Sequence, residues 1–171
     1  YKTMQMVFQT PADSFDPRRT LGDGIGESLR NAGLSRKKTR EKVEALLKDC
    51  GLPTEYADRY PHQVSGGQCQ RAAIARALAI EPRLLICDEI TSALDVTVQK
   101  EILELLNTLR TQWGRDLSIL FICHDISLVQ QFCDRVLVMY HGKIVEEGTP
   151  DEIIRNPQND YTKRLIDSVL S

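Results

Sequence analysis

The sequence predicts an α/β protein in which a core of parallel strands is interrupted by a mainly helical insert. Three short apolar runs have the length and composition of strands, at residues 4–8, 84–87 and 118–123. A helical pattern joins the second run to the third, and this order predicts a parallel pair with a right-handed crossover. The composition changes after the first run and again before the second, so we expect the insert at about residues 11–79.

The overall charge and the apolar runs limit the classes of partner. The chain of 171 residues carries 22 Lys and Arg against 24 Asp and Glu, a formal net charge of −2. This balance gives no general basic field for nucleic acid or an anionic membrane surface, so any such partner must be met locally, and nucleic acid is not an expected partner. The apolar runs are far shorter than the roughly 20 residues that span a bilayer, so no transmembrane helix is predicted.

Five cysteines are present, and none of them form a C-x-x-C pair. A zinc site needs closer spacing than theirs. We therefore expect reduced and mostly buried thiols at these positions, as in cytoplasmic proteins.

The first elements follow from local signals. Residues 4–8 read as a strand, and Pro11 lies in a loop that breaks its periodicity. Ser35 is a capping candidate for an amphipathic helix whose apolar residues recur at helical spacing. Gly51 ends that helix.

The middle of the chain contains two further helix starts and the central strand. Ser65 and Gln68 have the spacing of a capping box, so a second helix begins there. Residues 84–87 form a continuous apolar run, which is typical of a strand buried on both faces. Asp95 caps a third helix, which we expect to end before Gly114.

The C-terminal part predicts a hairpin and two helices. His141 and Gly142 separate residues 135–140 from residues 143–146, which indicates an antiparallel hairpin. Residues 149–152 combine an N-cap, a proline and an acid three residues after the cap, so a short helix starts there. Residues 161–170 can form a last helix.

Polar residues follow the predicted strands, at the edge where open parallel sheets bind ligands. Asp88 and Glu89 end the second run, while Gln9 follows the first and His124 follows the third. An aspartate there can hold Mg²⁺, and the adjacent glutamate can polarise an attacking water. Acids at strand ends are also common turn residues, and a lone histidine or glutamine there is more often structural.

Residues 65–68, Ser-Gly-Gly-Gln, form a second candidate site at a helix start. The two glycines let backbone N–H groups approach a phosphate closely, the serine hydroxyl donates, and the helix dipole favours an anion. The alternative is an ordinary helix N-cap after a loop, and this motif alone does not decide between them.

The joint order of these motifs points to one family. Along the chain run Gln9, Ser-Gly-Gly-Gln at 65–68, Asp88-Glu89, Ser-Ala-Leu-Asp at 92–95 and His124. In this order and at these separations, the chain resembles the nucleotide-binding subunits of ABC transporters over nearly its whole length. The resemblance implies a P-loop NTPase (RecA-like) core of parallel strands with a helical subdomain insert.

The resemblance implies roles for the residues at the strand ends. Gln9 matches the Q-loop glutamine, which contacts Mg²⁺ and senses the γ-phosphate of ATP. Asp88 matches the Walker B aspartate that holds Mg²⁺, and Glu89 matches the general base. His124 looks like the switch histidine that contacts the γ-phosphate. Ile90 stands where many relatives have proline, a departure that leaves these chemical groups intact.

The resemblance also implies a surface that acts on a second subunit. Ser65, Gly66, Gly67 and Gln68 match the signature motif, which grips the γ-phosphate of ATP bound to the partner, and Val64 replaces the usual leucine before them. Residues 92–95 look like the D-loop at the dimer interface, and the resemblance implies that Asp95 is one of the nucleotide-binding residues there.

One departure from the family is large. These 171 residues contain no G-x-x-x-x-G-K-[ST] motif, and the upstream aromatic on which adenine stacks in the family is also missing. Family members carry both before the Q-loop glutamine. We therefore expect a fold truncated at its N-terminus, and we expect these residues alone not to hydrolyse ATP, because the missing loop holds the β- and γ-phosphates.

The resemblance divides the chain into four segments. Residues 1–10 are the core strand and Q-loop, and residues 11–79 are the helical subdomain with the signature motif. Residues 80–149 complete the RecA-like core, and residues 150–171 form C-terminal helices.

Subfamily features indicate the transported solute and the partners. Residues 12–18, 92–99 and 159–162 are similar to those of oligopeptide, dipeptide and nickel importers. The expected function is therefore ATP hydrolysis, with ATP and Mg²⁺ as cofactors, that powers solute uptake. The implied partners are a second ATPase subunit, identical or different, and integral membrane permease subunits. The implied location is cytoplasmic, peripheral on the inner face of the cell membrane.

Two other functions remain open from the sequence. A soluble ABC ATPase of the DNA-repair or ribosome-associated kind shares the signature and Walker B motifs, but such proteins carry large insertions that are absent between Gln9 and Ser65. A non-catalytic binding module could keep the scaffold after losing the phosphate loop. Intact Glu89 and His124 argue against that kind of decay.

Overall fold

The computed structural model describes residues 3–112 and 117–170, and describes side chains up to residue 168. Its contacts divide the chain into two compact units, the first ending at Ile122 and the second beginning at Cys123. The predicted division into four segments follows functional parts and stays a prediction. Its first two residues and its last lie outside the described residues, as does the predicted end of the third helix before Gly114.

A three-stranded parallel sheet forms the centre of the first unit. Its strands are β1 (Met4–Val7), β2 (Leu84–Asp88) and β3 (Ser118–Ile122), in the order β1-β2-β3. Val7 lies opposite Cys87, and Asp88 lies opposite Ile122. The parallel pairing predicted for the second and third runs is therefore confirmed, and the carboxyl ends of all three strands meet at one edge.

The described residues of the first unit also form four α-helices: α1 (Leu21–Asn31), α2 (Arg36–Asp49), α3 (Gly66–Leu78) and α4 (Val96–Gln112). The first three pack against one another, α3 also contacts β1, and α4 connects β2 to β3. A short 3-10 segment, Pro11–Ser14, follows β1 and contacts α3. The described elements between Pro11 and Leu78 are thus all helical, as expected for the insert, while its bounds as a subdomain stay a prediction.

The predicted helix starts agree with the observed caps. Ser35 accepts a hydrogen bond from the Lys38 N–H at the start of α2. Ser65 and Gln68 form the predicted capping box at the start of α3. Asp95 accepts hydrogen bonds at the start of α4. These contacts are local in sequence, because an N-cap satisfies N–H groups only two or three residues away.

Helix α1 was not predicted individually, because three glycines lower its intrinsic helix propensity. Packing explains all three: an added Cβ would lie 2.6 Å from the Ala57 carbonyl oxygen at Gly22, 2.6 Å from the Phe15 ring at Gly24 and 2.7 Å from the Thr39 Cγ2 at Gly26. The glycines therefore allow close approach of neighbouring segments. The buried residues Leu21, Ile25 and Leu29 still recur at helical spacing.

The two faces of the sheet differ, and this corrects the prediction that β2 is buried on both. Val7, Leu85 and Cys87 lie on one face and are almost fully buried. On the other face Leu84 and Ile86 of β2 are only half-buried. Their neighbours on that face are exposed: Met4 by 51%, Met6 by 36%, Leu120 by 42% and Ile122 by 41%. Parallel sheets are normally covered on both faces, and within the described residues of the first unit no helix packs over this one.

The second unit contains a hairpin and three helices: β4 (Val136–Tyr140), β5 (Lys143–Gly148), α5 (Ile126–Phe132), α6 (Pro150–Arg155) and α7 (Asp160–Leu170). The predicted antiparallel hairpin is confirmed, with His141 and Gly142 both at positive φ in its turn. Thr149 and Glu152 form the predicted capping box of α6. Helix α5, capped by Asp125, was not predicted.

None of the helices in the described segments is long and apolar enough to cross a membrane. The five cysteines are all free thiols, and three of them are buried: Cys50, Cys69 and Cys87. The burial of these three agrees with the prediction of mostly buried thiols, and their reduced state stays a prediction.

Candidate functional site

The candidate site begins where β1 and β2 end. Asp88 is the last residue of β2, Glu89 follows it, and Gln9 lies two residues beyond β1. Because the two strands are parallel and paired, these residues meet at one edge of the sheet. Gln9 and Asp88 both line a cleft of about 690 Å³. Asp88 and Glu89 are each half-exposed.

The opposite wall of the cleft is formed by α3 and the segment after Gln9. Arg76, on α3, donates a hydrogen bond to the Ser14 carbonyl, and its guanidinium carbon lies 5.7 Å from the centre of the Phe15 ring. Both Arg76 and Ser14 line the cleft. Helix α3 therefore holds in place the segment that follows Gln9.

The Gln9 side chain is connected to the main chain of Glu89 through Ser92. The Gln9 Nε2 donates to the Ser92 Oγ at 2.9 Å, and the Ser92 hydroxyl donates to the Glu89 carbonyl at 2.9 Å. The Ser92 N–H donates to the same carbonyl at 3.1 Å. Residues 83 positions apart in sequence are thus joined at the sheet edge.

The backbone of Glu89 is left-handed, with φ of +50°. For a residue with a Cβ this conformation costs about 1–2 kcal/mol. The Glu89 N–H donates to the Ile122 carbonyl at 2.9 Å, and the Glu89 carbonyl accepts from Ser92, so both sides of the residue are held. Backbone strain that the surroundings maintain is frequent at functional sites.

The thiol next to Asp88 takes no part in this polar cluster. Cys87 is fully buried, and burial raises the pKa of its thiol to about 12. The thiol is therefore neutral at physiological pH. It cannot act there as a thiolate ligand or nucleophile beside Asp88.

The predicted signature residues lie at the start of α3. The Gln68 N–H donates to the Ser65 Oγ at 3.3 Å, and the Ser65 N–H donates to the Gln68 Oε1 at 2.9 Å. Ser65 uses its oxygen only as an acceptor in this box, so its hydroxyl proton remains a donor, and so does the Gln68 amide group. These residues are not part of the cleft that contains Gln9 and Asp88.

The start of α3 packs against the start of α4. A Cβ added to Gly67 would lie 2.6 Å from the Val98 Cγ1, and one added to Gly66 would lie 3.9 Å from the Leu94 Cδ2. The structure therefore brings residues 65–68 beside residues 92–98.

Asp95 ends the loop that begins at Glu89, and its carboxylate caps α4. It accepts from the Thr97 N–H at 3.0 Å and from the Val98 N–H at 3.1 Å. Gln99 holds the same loop from the helix, donating to the carbonyls of Thr91 at 3.0 Å and Leu94 at 3.1 Å. The carboxylate that the sequence assigns to a dimer interface thus has a local structural role as well.

His124 lies two residues after β3 and belongs to the second unit. Its predicted position beside the carboxylates stays a prediction. Sequence reasoning also did not assign site roles to Ser92 or Gln99. Both occur in the run at residues 92–99 that resembled the importers, and that run was the only signal for them.

Comparison with known proteins places the chain in a family. The family described as ABC transporter matches residues 1–92. The oligopeptide transport ATP-binding protein OppF of Salmonella typhimurium is 49% identical over 168 residues, which are 97% of this chain and 50% of that protein. The dipeptide transport ATP-binding protein DppF of Escherichia coli is 46% identical over 164 residues, 95% of this chain and 48% of that protein. The chain thus spans about half the length of these curated relatives.

A solved structure shows the same fold. It is cbiO1 from Clostridium perfringens, part of the ABC transporter complex cbiONQ, with a TM-score of 0.81 and 31% identity. The match covers 91% of this chain and 60% of that one. The fold is therefore that of a P-loop NTPase of the ABC type, with parallel strands and a helical insert, as the sequence predicts. By its family match, its relatives and its fold, this chain belongs to the ABC transporter family.

Proposed function

We propose that this chain is part of an ATP-binding subunit whose hydrolysis of ATP powers the uptake of peptides by an ABC transporter. The observation that carries the proposal is the meeting of Gln9, Asp88 and Glu89 at one sheet edge, where two of them line a common cleft. Peptides are favoured as the solute because the two curated relatives described above are named for oligopeptide and dipeptide transport.

In this proposal Asp88 and Gln9 bind Mg²⁺ from the end of the sheet. Their carboxylate and amide oxygens are ligands that suit this cation. In residues 3–112 and 117–170 no group of three or more His, Cys, Asp or Glu side chains could hold a metal ion. That agrees with Mg²⁺ sites in which one or two protein ligands share the cation with phosphates and water. Bound Mg²⁺ would neutralise charge on the β- and γ-phosphate oxygens.

Glu89 is the proposed general base. Its position directly after β2 places it next to the proposed Mg²⁺ ligand, and its backbone is held by Ile122 and Ser92. A carboxylate held in this way can orient an attacking water and accept its proton. His124 is proposed to contact the γ-phosphate, as the resemblance implies for the residue after the third strand.

The start of α3 is proposed to act on ATP held by a second ATPase subunit. The hydroxyl proton of Ser65 and the amide group of Gln68 remain donors, and the N–H groups of Gly66 and Gly67 lie in the first turn of a 13-residue helix. A helix N-terminus with such donors favours a phosphate. Asp95, beside this motif, would lie near the same interface.

The proposed assembly contains a second ATPase subunit, identical or different, and integral membrane permease subunits. The ATPase subunits would sit on the cytoplasmic, inner face of the cell membrane. The relatives described above give no support to a DNA-repair or ribosome-associated function.

The test uses the full-length subunit assembled with its permease in proteoliposomes, carrying Glu89→Gln. ATP hydrolysis should fall by about 10²–10⁴-fold, the range for loss of a general base, while binding of a fluorescent ATP analogue persists. Glu104→Gln, which removes an exposed acid outside the cleft, is the matched control and should leave hydrolysis unchanged.

Uptake of a labelled tripeptide tests the solute. Peptide accumulation that needs ATP and disappears in Glu89→Gln supports the proposal. Full hydrolysis in Glu89→Gln contradicts the role of Glu89, and ATP-driven uptake of nickel ions without uptake of peptides contradicts the proposed solute.

A further inference from the structure

The Ser92 hydroxyl lies between two groups of the candidate site. It accepts from the Gln9 Nε2 at 2.9 Å and donates to the Glu89 carbonyl at 2.9 Å. Ser92 itself does not line the cleft that contains Gln9 and Asp88. Any effect of Ser92 on chemistry at that cleft therefore passes through Gln9 or Glu89.

The single proton of the hydroxyl determines which way the Gln9 amide faces. A serine hydroxyl has one proton to donate, and Ser92 gives it to the Glu89 carbonyl. Toward Gln9 the Ser92 oxygen can act only as an acceptor, so Gln9 must present its NH₂ group there. The Gln9 Oε1 then faces away from Ser92 with its lone pairs available.

The reverse orientation of the amide is disfavoured. It would place the Gln9 Oε1 against the Ser92 oxygen, two acceptors without a proton between them. Relief would require Ser92 to turn its proton away from the Glu89 carbonyl and give up the 2.9 Å hydrogen bond that it donates there. The orientation of one amide is thus coupled to the turn that contains the strained backbone of Glu89.

This orientation matters for a hard cation. An amide oxygen is a good ligand for Mg²⁺, whereas an amide NH₂ presents protons and repels it. An isolated glutamine side chain can rotate its amide and present either group. A fixed orientation therefore prepares the oxygen for the cation before it arrives.

We propose that Ser92 is a positioning residue that fixes the Gln9 amide with its oxygen available to a divalent cation, and that it couples this orientation to the Glu89 backbone. The inference rests on the proposed function, because it takes Gln9 as a Mg²⁺ ligand. It adds a residue that binds neither the cation nor the nucleotide.

The first readout is the side-chain amide of Gln9, observed by NMR in the full-length subunit labelled with ¹⁵N-glutamine. The Gln9 resonance is the one that is absent from Gln9→Glu. In Ser92→Ala this resonance should shift, and its amide protons should exchange faster with water, because their acceptor is gone. Ser92→Thr keeps the hydroxyl and should retain the shift and the protection. This readout needs no activity.

The second readout is the Mg²⁺ concentration that gives half-maximal ATP hydrolysis. Ser92→Ala should raise it by roughly 3- to 10-fold, the effect of losing one hydrogen bond that biases the amide. In a Gln9→Glu background the two terminal atoms are both oxygens, so the added effect of Ser92→Ala should disappear. Thr108→Ala, which removes an exposed hydroxyl bonded within its own helix, is the control and should change nothing.

The outcomes separate the two proposals. An unchanged Gln9 resonance in Ser92→Ala overturns the inference, whatever happens to hydrolysis. The inference is also overturned if Ser92→Ala raises the half-maximal Mg²⁺ concentration by the same factor in the parent and in the Gln9→Glu background. Ser92 would then act by a route that does not involve the Gln9 amide. If Glu89→Gln retains full hydrolysis, the proposed function fails while the NMR result still decides the orientation of Gln9.

Discussion

Substituting Gly67 by alanine should destabilise the fold, whereas the same change at Gly66 should not. An alanine Cβ at position 67 would lie 2.6 Å from the Val98 Cγ1, and at position 66 its nearest neighbour would be the Leu94 Cδ2 at 3.9 Å. Carbon atoms pack favourably at about 3.5–4.0 Å, so the first contact must open by about 1 Å while the second is already satisfactory.

The magnitudes follow from two opposing effects. Overpacking of this kind costs typically about 1–3 kcal/mol. Alanine in place of glycine in a helix gains at most about 1 kcal/mol, and less in the first turn. Gly67→Ala should therefore lower the free energy of unfolding by up to about 3 kcal/mol relative to the parent. Gly66→Ala should leave it equal or slightly higher, so that the two variants differ by about 1–3 kcal/mol.

Urea denaturation of the 171-residue chain measures these differences directly. A thermal melt should show them as about 2–4 °C per kcal/mol, the sensitivity of proteins of this size. Val98→Ala supplies the second arm of a double-mutant cycle, because it removes the atom that the new Cβ would meet. In the Val98→Ala background, Gly67→Ala should lose most of its cost, giving a coupling free energy of about 1–3 kcal/mol.

Two results would refute this reasoning. Equal unfolding free energies for Gly66→Ala and Gly67→Ala would show that the contact with Val98 is not tight. Additive effects of Gly67→Ala and Val98→Ala would show that the two residues do not interact. Both measurements are independent of any ATPase activity.

Three further predictions concern the thiols, the exposed sheet face and turnover. Burial raises the pKa of the Cys50 and Cys87 thiols from 9.0 to about 12, so the unfolded chain loses protons that the folded chain keeps. The free energy of unfolding should therefore fall as pH rises from about 9 to about 12, by up to about 1.4 kcal/mol per pH unit for each thiol. Urea denaturation at several pH values measures this slope, and the same slope in the Cys50→Ala/Cys87→Ala double variant would contradict the prediction. The chain should self-associate through its exposed sheet face, and Leu120→Lys or Met6→Lys should reduce its apparent mass in size-exclusion chromatography with light scattering. A sharply melting parent monomer would contradict this prediction. Finally, these 171 residues alone should release no phosphate from ATP, and turnover that vanishes in Glu89→Gln would overturn that expectation.

Much of the fold could be predicted because its signals are local or periodic. The capping boxes at Ser65 and Thr149 depend on residues three positions further along the chain. The N-caps at Ser35 and Asp95 depend on N–H groups two or three positions away. The glycine-rich helix α1 was less visible. Glycine is needed in this helix because the Ala57 main chain and the Phe15 ring lie too close for a Cβ, and both of these residues lie outside the helix in sequence. Tertiary packing overrides intrinsic propensity in such cases.

The burial of β2 was predicted wrongly for a related reason. A continuous apolar run such as Leu84–Cys87 indicates that both faces prefer to be covered, but it contains no information on what covers them. In the described residues only the face with Leu85 and Cys87 is buried.

The site was predictable in its positions and not in its hydrogen bonds. Gln9, Asp88 and Glu89 could be placed together because residues after parallel strands share an edge. The link from Gln9 to Ser92 depends on side-chain rotamers at positions 83 residues apart, for which the sequence has no pattern. The left-handed backbone of Glu89 was equally hidden, since residues with a Cβ rarely adopt it.

The left-handed backbone of Glu89 has a consequence for the choice of inactive variants. Glycine at position 89 would remove the carboxylate and also release the torsional energy stored there, because glycine adopts positive φ freely. Alanine would remove the carboxylate and keep the strain. The Glu89→Gly variant would thus lose the proton acceptor and also relax the loop. A change in its nucleotide affinity would reflect both effects together. Glutamine keeps the side-chain length and the backbone energy, so only that variant isolates the proton acceptor.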